Sequence, residues 1–238
     1  MHRLWAITKR EFLAYFNSPV AYIVVSLFLL LVGALFWITF FAPPPSLTMR
    51  SFFNIASLVL VFYAPAVTMR LLAEENGSGT LEVLTTMPVR DIEVIAGKYL
   101  AALGLLVVTL LLTVPYGITL ASLGAIDHGP IIGWYIGLVL IGAAYMAVGL
   151  LFSSLTQHQM VAFFASMIVC LFFFFIDKFT AFMPPSLASV VDYLSFDSHF
   201  QSVARGVVDT RDMVFFFSVI GLGLTASYAS LESRRWWR

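Results

Sequence analysis

Two clusters of ionisable residues interrupt an otherwise apolar chain, and its chemistry must be sought there. The first lies within residues 70–98, RLLAEENGSGTLEVLTTMPVRDIEVIAGK, and carries Arg70, Glu74, Glu75, Glu82, Arg90, Asp91, Glu93 and Lys98. The second gathers Asp177, Lys178, Asp197, His199, Arg205, Asp209, Arg211 and Asp212 within residues 177–212. Neither has the spacing of a catalytic or metal site. His2, His128, His158 and His199 fall in separate segments without an i, i+4 pair, so metal ligation lacks its usual helical geometry. Cys170 is the single cysteine and sits in an apolar run, which leaves neither a disulfide framework nor a cysteine cluster; it reads as a packing residue. No GxxxxGK[ST] loop occurs, so ATP has no phosphate cradle of the usual kind in this chain. No catalytic residue and no metal ligand is assigned, and the chain itself is not expected to be an enzyme. Ion pairing, helix capping and contact with a partner or a substrate are the chemistry left.

Composition sets the scaffold that must position these residues. Hydrophobic residues make up 61% and charged residues 11% of the 238, with a mean hydropathy of +0.95. A soluble domain would carry about 25% charged residues. The chain therefore reads as an all-α polytopic membrane protein. Its formal net charge of zero gives no electrostatic support to nucleic-acid binding.

Six segments are long enough to cross roughly 30 Å of hydrocarbon at about 1.5 Å per residue: residues 20–41, 52–72, 99–123, 131–155, 160–176 and 213–231. Pro19 suits the first turn of the first, and Pro43, Pro44 and Pro45 end it. Pro65 interrupts the second, and Pro115 with Gly117 predicts a kink in the third. Gly133, Gly137, Gly142 and Gly149 on the fourth permit close helix approach and mark it as an inner helix. Phe172 to Phe175 on the fifth read as lipid-facing bulk rather than a binding box.

Residues 1–18 retain Arg3, Lys9, Arg10 and Glu11 with no cleavage pattern behind a short apolar core. On a helix, Leu4, Trp5, Thr8, Phe12, Tyr15 and Phe16 share one side. Two readings stand: an interfacial helix along the cytoplasmic leaflet, or a basic flank of the first span. With the N-terminus inside, nine basic residues (Arg3, Lys9, Arg10, Arg70, Arg90, Lys98, Arg234, Arg235 and Arg238) face the cytoplasm and four (Arg50, Lys178, Arg205 and Arg211) face out. That bias places both termini and residues 73–98 in the cytoplasm.

Residues 177–212 fit neither a span nor a plain loop. Leu187, Val190, Val191 and Leu194 keep amphipathic-helix spacing after Pro184 and Pro185, and a second short helix is expected to follow Ser198, through Phe200 to Val208. The pair reads as a re-entrant outer hairpin covered by protein, or as a surface cap. Within it Asp197, His199, Arg205 and Asp209 are the candidate polar residues; His199 with Asp197 either contacts substrate or serves capping. The charges of this region can also pair with one another and hold the hairpin to the last span. Since the spans hold almost no charge, a proton relay has no carrier.

Within residues 70–98 a short helix is expected. Ser78, Gly79 and Thr80 offer N-cap chemistry, Glu82 falls in the first turn, where the helix dipole favours an anion, and Pro88 ends the pattern.

The stretch EENGSGTLEVLTTMPVRDIEVIAGKYLA resembles the loop pattern of ABC-2 type permeases: an acidic pair, a Gly-Thr-Leu-Glu core and a Pro before a Lys near the start of span three. More narrowly, SFDSHFQSVARGVVDTRDMVFFF is similar to the gliding-motility-associated branch of these permeases. The resemblance covers essentially the whole chain. It implies a permease subunit of an ATP-driven exporter in the bacterial inner membrane, with a cytoplasmic coupling helix over residues 79–87 that enters a groove of a separate ATPase. Gly79, Thr80, Leu81, Glu82, Leu84 and Met87 would form that helix, with Leu81, Leu84 and Met87 as apolar contacts and Glu82 as a polar one. Glu74 and Glu75 would pair with basic groups of the motor, or form a solvated face. The implied partners are an ABC ATPase homodimer that binds the ATP and Mg, a second copy or related permease, an auxiliary subunit with a periplasmic domain, and membrane lipid. The alternative is a non-transporting mechanotransmission or scaffold subunit that uses the same ATPase to act on outer-side proteins.

Overall fold

The computed structural model describes residues 2–41, 49–79, 90–123, 128–182, 184, 191, 193–204 and 209–236. All regular structure among the described residues is helical, and six helices have the length and apolar composition to cross a membrane. The chain runs α1 (His2–Asn17), α2 (Pro19–Phe41), α3 (Met49–Thr68), α4 (Ala73–Ser78), α5 (Asp91–Leu111), α6 (Val114–Leu123), α7 (His128–Leu155), α8 (Gln159–Phe175), a 3-10 turn (Ile176–Phe182), α9 (Phe196–Ala204) and α10 (Thr210–Trp236). The spans are α2, α3 with α4, α5 with α6, α7, α8 and α10. The end of the bundle holding the α1–α2 junction is called the near end below, and the end holding α9 the far end.

The glycines of α7 explain its central position. It packs against α3, α5, α8, α9 and α10, and 72% of its spanning window is buried, against 22% for α8. A Cβ on Gly142 would meet Leu106 of α5 at 2.6 Å, one on Gly137 would meet Phe200 of α9 at 3.0 Å, and one on Gly149 would collide with the Thr68 hydroxyl of α3. Small residues replace side-chain thickness with backbone contact, which packs helices where water supplies no hydrophobic drive between them. Cys170 is buried as a packing residue. Phe172 and Phe175 are exposed, while Phe174 is buried, so that aromatic run serves both the core and the outer face.

Proline accounts for the break in the third span. Helix α5 stops at Leu111 and α6 begins at Val114, because Pro115 has no N–H to donate and its ring crowds the carbonyl four residues earlier. At its other end this span begins at Asp91, eight residues before the expected start. The Glu93 carboxylate accepts the backbone N–H of Arg90 at 3.2 Å, a first-turn contact that opens the helix early. Lys98 thereby moves from a loop end into a helix.

Helix α1 lies along α5. A Cβ on Gly97 would meet Ile7 at 2.7 Å and one on Gly104 would meet Phe12 at 3.2 Å. Thr8 is buried, whereas Trp5 is 68% exposed. The apolar side of α1 is thus divided: the stripe through Ile7, Thr8 and Phe12 faces protein, and Trp5 faces outward with Leu13.

Candidate functional site

The near-end cluster is built on the exit from α3. Its last turn holds Pro65, and Thr68 returns a hydroxyl bond to Ala64 O at 2.8 Å. Residues 69–72 then turn into α4, whose N-cap Leu72 has no side chain able to accept a hydrogen bond. Ser153 of α7 supplies the missing cap. Its Oγ accepts the N–H groups of Leu72 at 3.1 Å and Ala73 at 3.0 Å and donates to Met69 O at 3.0 Å. One hydroxyl therefore satisfies two of the free amides that every helix start exposes.

Two further contacts hold α4 to the turn between α7 and α8. The Asn76 amide donates to Ser154 O at 3.4 Å and Thr156 O at 3.3 Å. A Cβ on Gly77 would lie 2.9 Å from Gln157 O. Gly79 then ends α4 at φ +73°, the left-handed conformation that favours glycine at a helix C-terminus. Ser78 bonds backward, to Glu75 O at 3.4 Å. Ser78 and Gly79 thus close α4; the helix they were expected to open falls outside the described residues. Thr80, Leu81, Glu82, Leu84 and Met87 lie outside the described residues.

Glu74 and Glu75 point to different partners within the chain. Glu74 accepts from Arg70 Nε at 2.9 Å, and Arg70 Nη1 donates to Ser18 Oγ at 3.0 Å. Glu75 accepts from Lys98 Nζ at 2.7 Å. Lys98 is 2% exposed and also lies 3.4 Å from Glu11 Oε2. An ammonium withdrawn from water is tolerated only beside compensating charge, and here the carboxylates come from α1 and α4 while the cation sits on α5. Glu75 Oε2 is buried without a hydrogen-bond partner among the described residues. Burial pushes the Glu11 carboxyl up, but the charge of Lys98 and the hydrogen bond from Arg10 outweigh it and leave Glu11 below the usual carboxylate range. A cavity of about 310 Å³ opens beside this cluster, lined by Glu11, Tyr15, Ser18, Arg70, Glu75 and Lys98 among others.

The far-end candidates separate into different contacts. Asp197 accepts from Lys178 Nζ at 3.1 Å, and Lys178 also donates to Asp177 at 2.6 Å. His199 is joined not to Asp197 but to Asp212 of α10, with Nδ1 2.6 Å from Oδ1, while Nε2 lies 2.9 Å from Tyr193 O. Its ring stacks on Phe215 at 4.0 Å between centroids. Ser195 is the cap of α9, accepting the N–H groups of Asp197 and Ser198 at 3.2 and 3.4 Å. Asp209 accepts the Arg211 N–H at 3.0 Å before α10. Arg205 lies outside the described residues, as do Leu187 and Val190 of the expected outer helix. The second helix, expected to follow Ser198, already begins at Phe196, because Ser195 caps it. Its buried Phe196, Phe200 and Val203 pack against the bundle, and Gln201 donates to Asn54 of α3 at 2.8 Å.

Ser153, Asn76 and Glu11 at the near end were not singled out by sequence as site residues, and Lys98 and Asp212, though named in the two ionisable clusters, were given no specific partner. Only Lys98 left a local signal: the Arg90 to Glu93 spacing would have set the helix start early enough to bury it.

A family model described as ABC-2 family transporter protein matches residues 45–215, well over half of the chain and spanning both clusters. No curated protein matches the chain. With six apolar spans and this match, the chain belongs to the ABC-2 transporter family and is a multi-pass membrane permease component of an ABC transporter.

Proposed function

We infer that this permease is the membrane subunit of an exporter in a bacterial inner membrane, driven by a separate ATPase homodimer that binds ATP and Mg. The observation carrying this reading is the attachment of α4. One end of residues 73–98 is tied to α7 through Ser153 and to α5 through Glu75 and Lys98. A pull on the segment after Gly79 would therefore reach several spans rather than dissipate in a loop. Residues 79–87 are the coupling helix of this reading, with Leu81, Leu84 and Met87 entering the ATPase groove and Glu82 at its polar rim. Family membership implies an ABC ATPase partner.

The near end is cytoplasmic in this reading, as the excess of basic residues there supports. Helix α1 lies at the cytoplasmic interface, with exposed Trp5, Lys9 and Arg10 toward the lipid headgroups. Residues 177–212 form a re-entrant outer hairpin, supported by the apolar burial of α9 among α7, α8 and α10. A second permease copy or a related permease completes the pathway, and resemblance to the gliding-motility-associated branch supports an auxiliary subunit with a periplasmic domain.

Leu84→Asp tests the central assignment. It is expected to abolish co-purification of the ATPase while membrane insertion is retained; undiminished co-purification would remove residues 79–87 from the coupling role. ATP-dependent movement of a cargo into inverted vesicles separates an exporter from a scaffold subunit, which would hydrolyse ATP with its partner and move nothing.

A further inference from the structure

We propose that Lys98 is a positioning residue that exchanges carboxylates, with Glu11 as its fixed partner and Glu75 as its movable one. This rests on the coupling role of residues 73–98. The asymmetry is visible in how each carboxylate is held. Glu11 stands on α1, which is fitted to α5 by the close approaches of Ile7 to Gly97 and Phe12 to Gly104, and Arg10 supports it at 2.8 Å. The Glu11 to Lys98 spacing is therefore set by two packed helices. Glu75 stands on α4, a helix of six residues. Besides the Lys98 bond its anchors are the Ser153 cap, the long Asn76 contacts at 3.3 and 3.4 Å, the packing of Gly77 on Gln157 O and the Arg70 to Glu74 pair, most of them at the turns flanking α4 rather than along a packed helix face.

The distances fit an exchange. Lys98 sits close to the movable partner at 2.7 Å and further from the fixed one at 3.4 Å. When α4 is displaced, the ammonium can close the gap to Glu11, so it is never left buried without a counter-charge, the costly state of a broken buried pair. Glu75 has reason and room to leave. Its Oε2 is buried with no partner among the described residues, and an incompletely satisfied buried group stores unfavourable energy. The adjoining cavity, lined by Arg70 and Ser18 as well as Glu75, offers polar surface to receive it. A carboxylate that is held tightly but incompletely, next to an open space, suits a two-position element. The Lys98 ammonium and the Glu11 carboxylate keep the site paired in both positions, so α4 moves without stranding the buried cation.

The test uses the full chain in lipid nanodiscs with its ATPase, spin-labelled through cysteines at Ala14 on α1 and Ser78 on α4, both of them exposed. In otherwise native protein the label-to-label distance distribution is expected to shift on addition of ATP, Mg and vanadate. Glu75→Gln, which keeps the shape and a hydrogen bond but not the charge, is expected to show the shifted distribution before nucleotide is added. Glu11→Gln leaves Lys98 dependent on Glu75 and is expected to suppress the nucleotide response with the ATPase still bound. A Glu75→Gln distribution identical to the native one without nucleotide overturns the exchange, and that arm needs no ATPase. An equal nucleotide response in native and Glu11→Gln protein overturns it as well. Failure of the ATPase to associate with the native chain instead counts against the coupling reading, leaving the nucleotide-free comparison to decide the exchange.

Discussion

Asp212 is buried with one carboxylate oxygen 2.6 Å from His199 Nδ1 and the other without a hydrogen-bond partner among the described residues. This contact joins α9 to the start of α10, and the imidazole is further fixed by the Tyr193 carbonyl and the face of Phe215. His199→Leu would strand the carboxylate. Leaving a buried polar group without its hydrogen-bond partner costs about 1–3 kcal/mol, so a fall in thermal unfolding temperature is expected. Adding Asp212→Asn to His199→Leu should recover part of that loss. Equal unfolding temperatures for the single and double variants would show that the pair carries no coupling energy.

Ser153 acts over a shorter range. Ser153→Ala leaves the Leu72 and Ala73 amides without their acceptor, for an expected cost of about 0.5–2 kcal/mol, the usual range for a lost helix N-cap. The effect should be local. Faster amide hydrogen exchange over residues 72–76, with α2 and α8 unchanged, is the expected pattern; exchange unchanged at Leu72 and Ala73 would mean that another group caps α4.

Glu11 gives the near end a dependence on acid. Its folded value is depressed by Lys98 and Arg10 against the opposing effect of burial. A depressed carboxylate contributes stability that is fully present above its unfolded value, about 4.3, and is lost as pH falls through the folded value. Protonation removes the fixed charge beside Lys98. Native protein should therefore lose unfolding temperature below about pH 4.3 more steeply than Glu11→Gln, the two curves converging at the acid end. Parallel curves across that range would assign the acid sensitivity to other carboxylates.

The spans were legible because bilayer crossing imposes length and composition on each segment separately. The glycine spacing of α7 was equally local, and its central place followed. Lys98 was not legible in the same way. Its identity as a loop residue rested on apolar content, which starts the third span late, while the Glu93 contact with Arg90 starts the helix at Asp91. Its partners Glu11 and Glu75 are distant in sequence and on other elements, and no periodicity announces a pairing across helices. Gly79 shows another limit: Ser, Gly and Thr in sequence suit a helix end as well as a helix start, and nothing local announced the end that Gly79 forms at φ +73°. At the far end sequence supplied the acids and the histidine but joined His199 to its neighbour Asp197, since residues two apart on a helix look adjacent in sequence while their side chains diverge.

Two glycines provide the contrast that tests the packing account. Gly149 of α7 sits where a methyl group would collide with the Thr68 hydroxyl, which is itself committed to Ala64 O at 2.8 Å. Neither neighbour can yield cheaply: α7 is central, and Thr68 ends α3 just before the turn that Ser153 closes. Gly149→Ala should cost about 1–3 kcal/mol, the range for overpacking a tight core, and should also raise hydrogen exchange at Leu72 and Ala73 by displacing the end of α3. Gly221 of α10 has open space around its missing Cβ and is exposed. Gly221→Ala should be neutral or slightly stabilising, since alanine is favoured over glycine in a helix by about 0.8–1 kcal/mol. Thermal unfolding of the two variants in the same lipid environment checks both signs at once. If Gly149→Ala unfolds at the native temperature, the α3–α7 contact is not the close-packed seam on which the attachment of α4 depends.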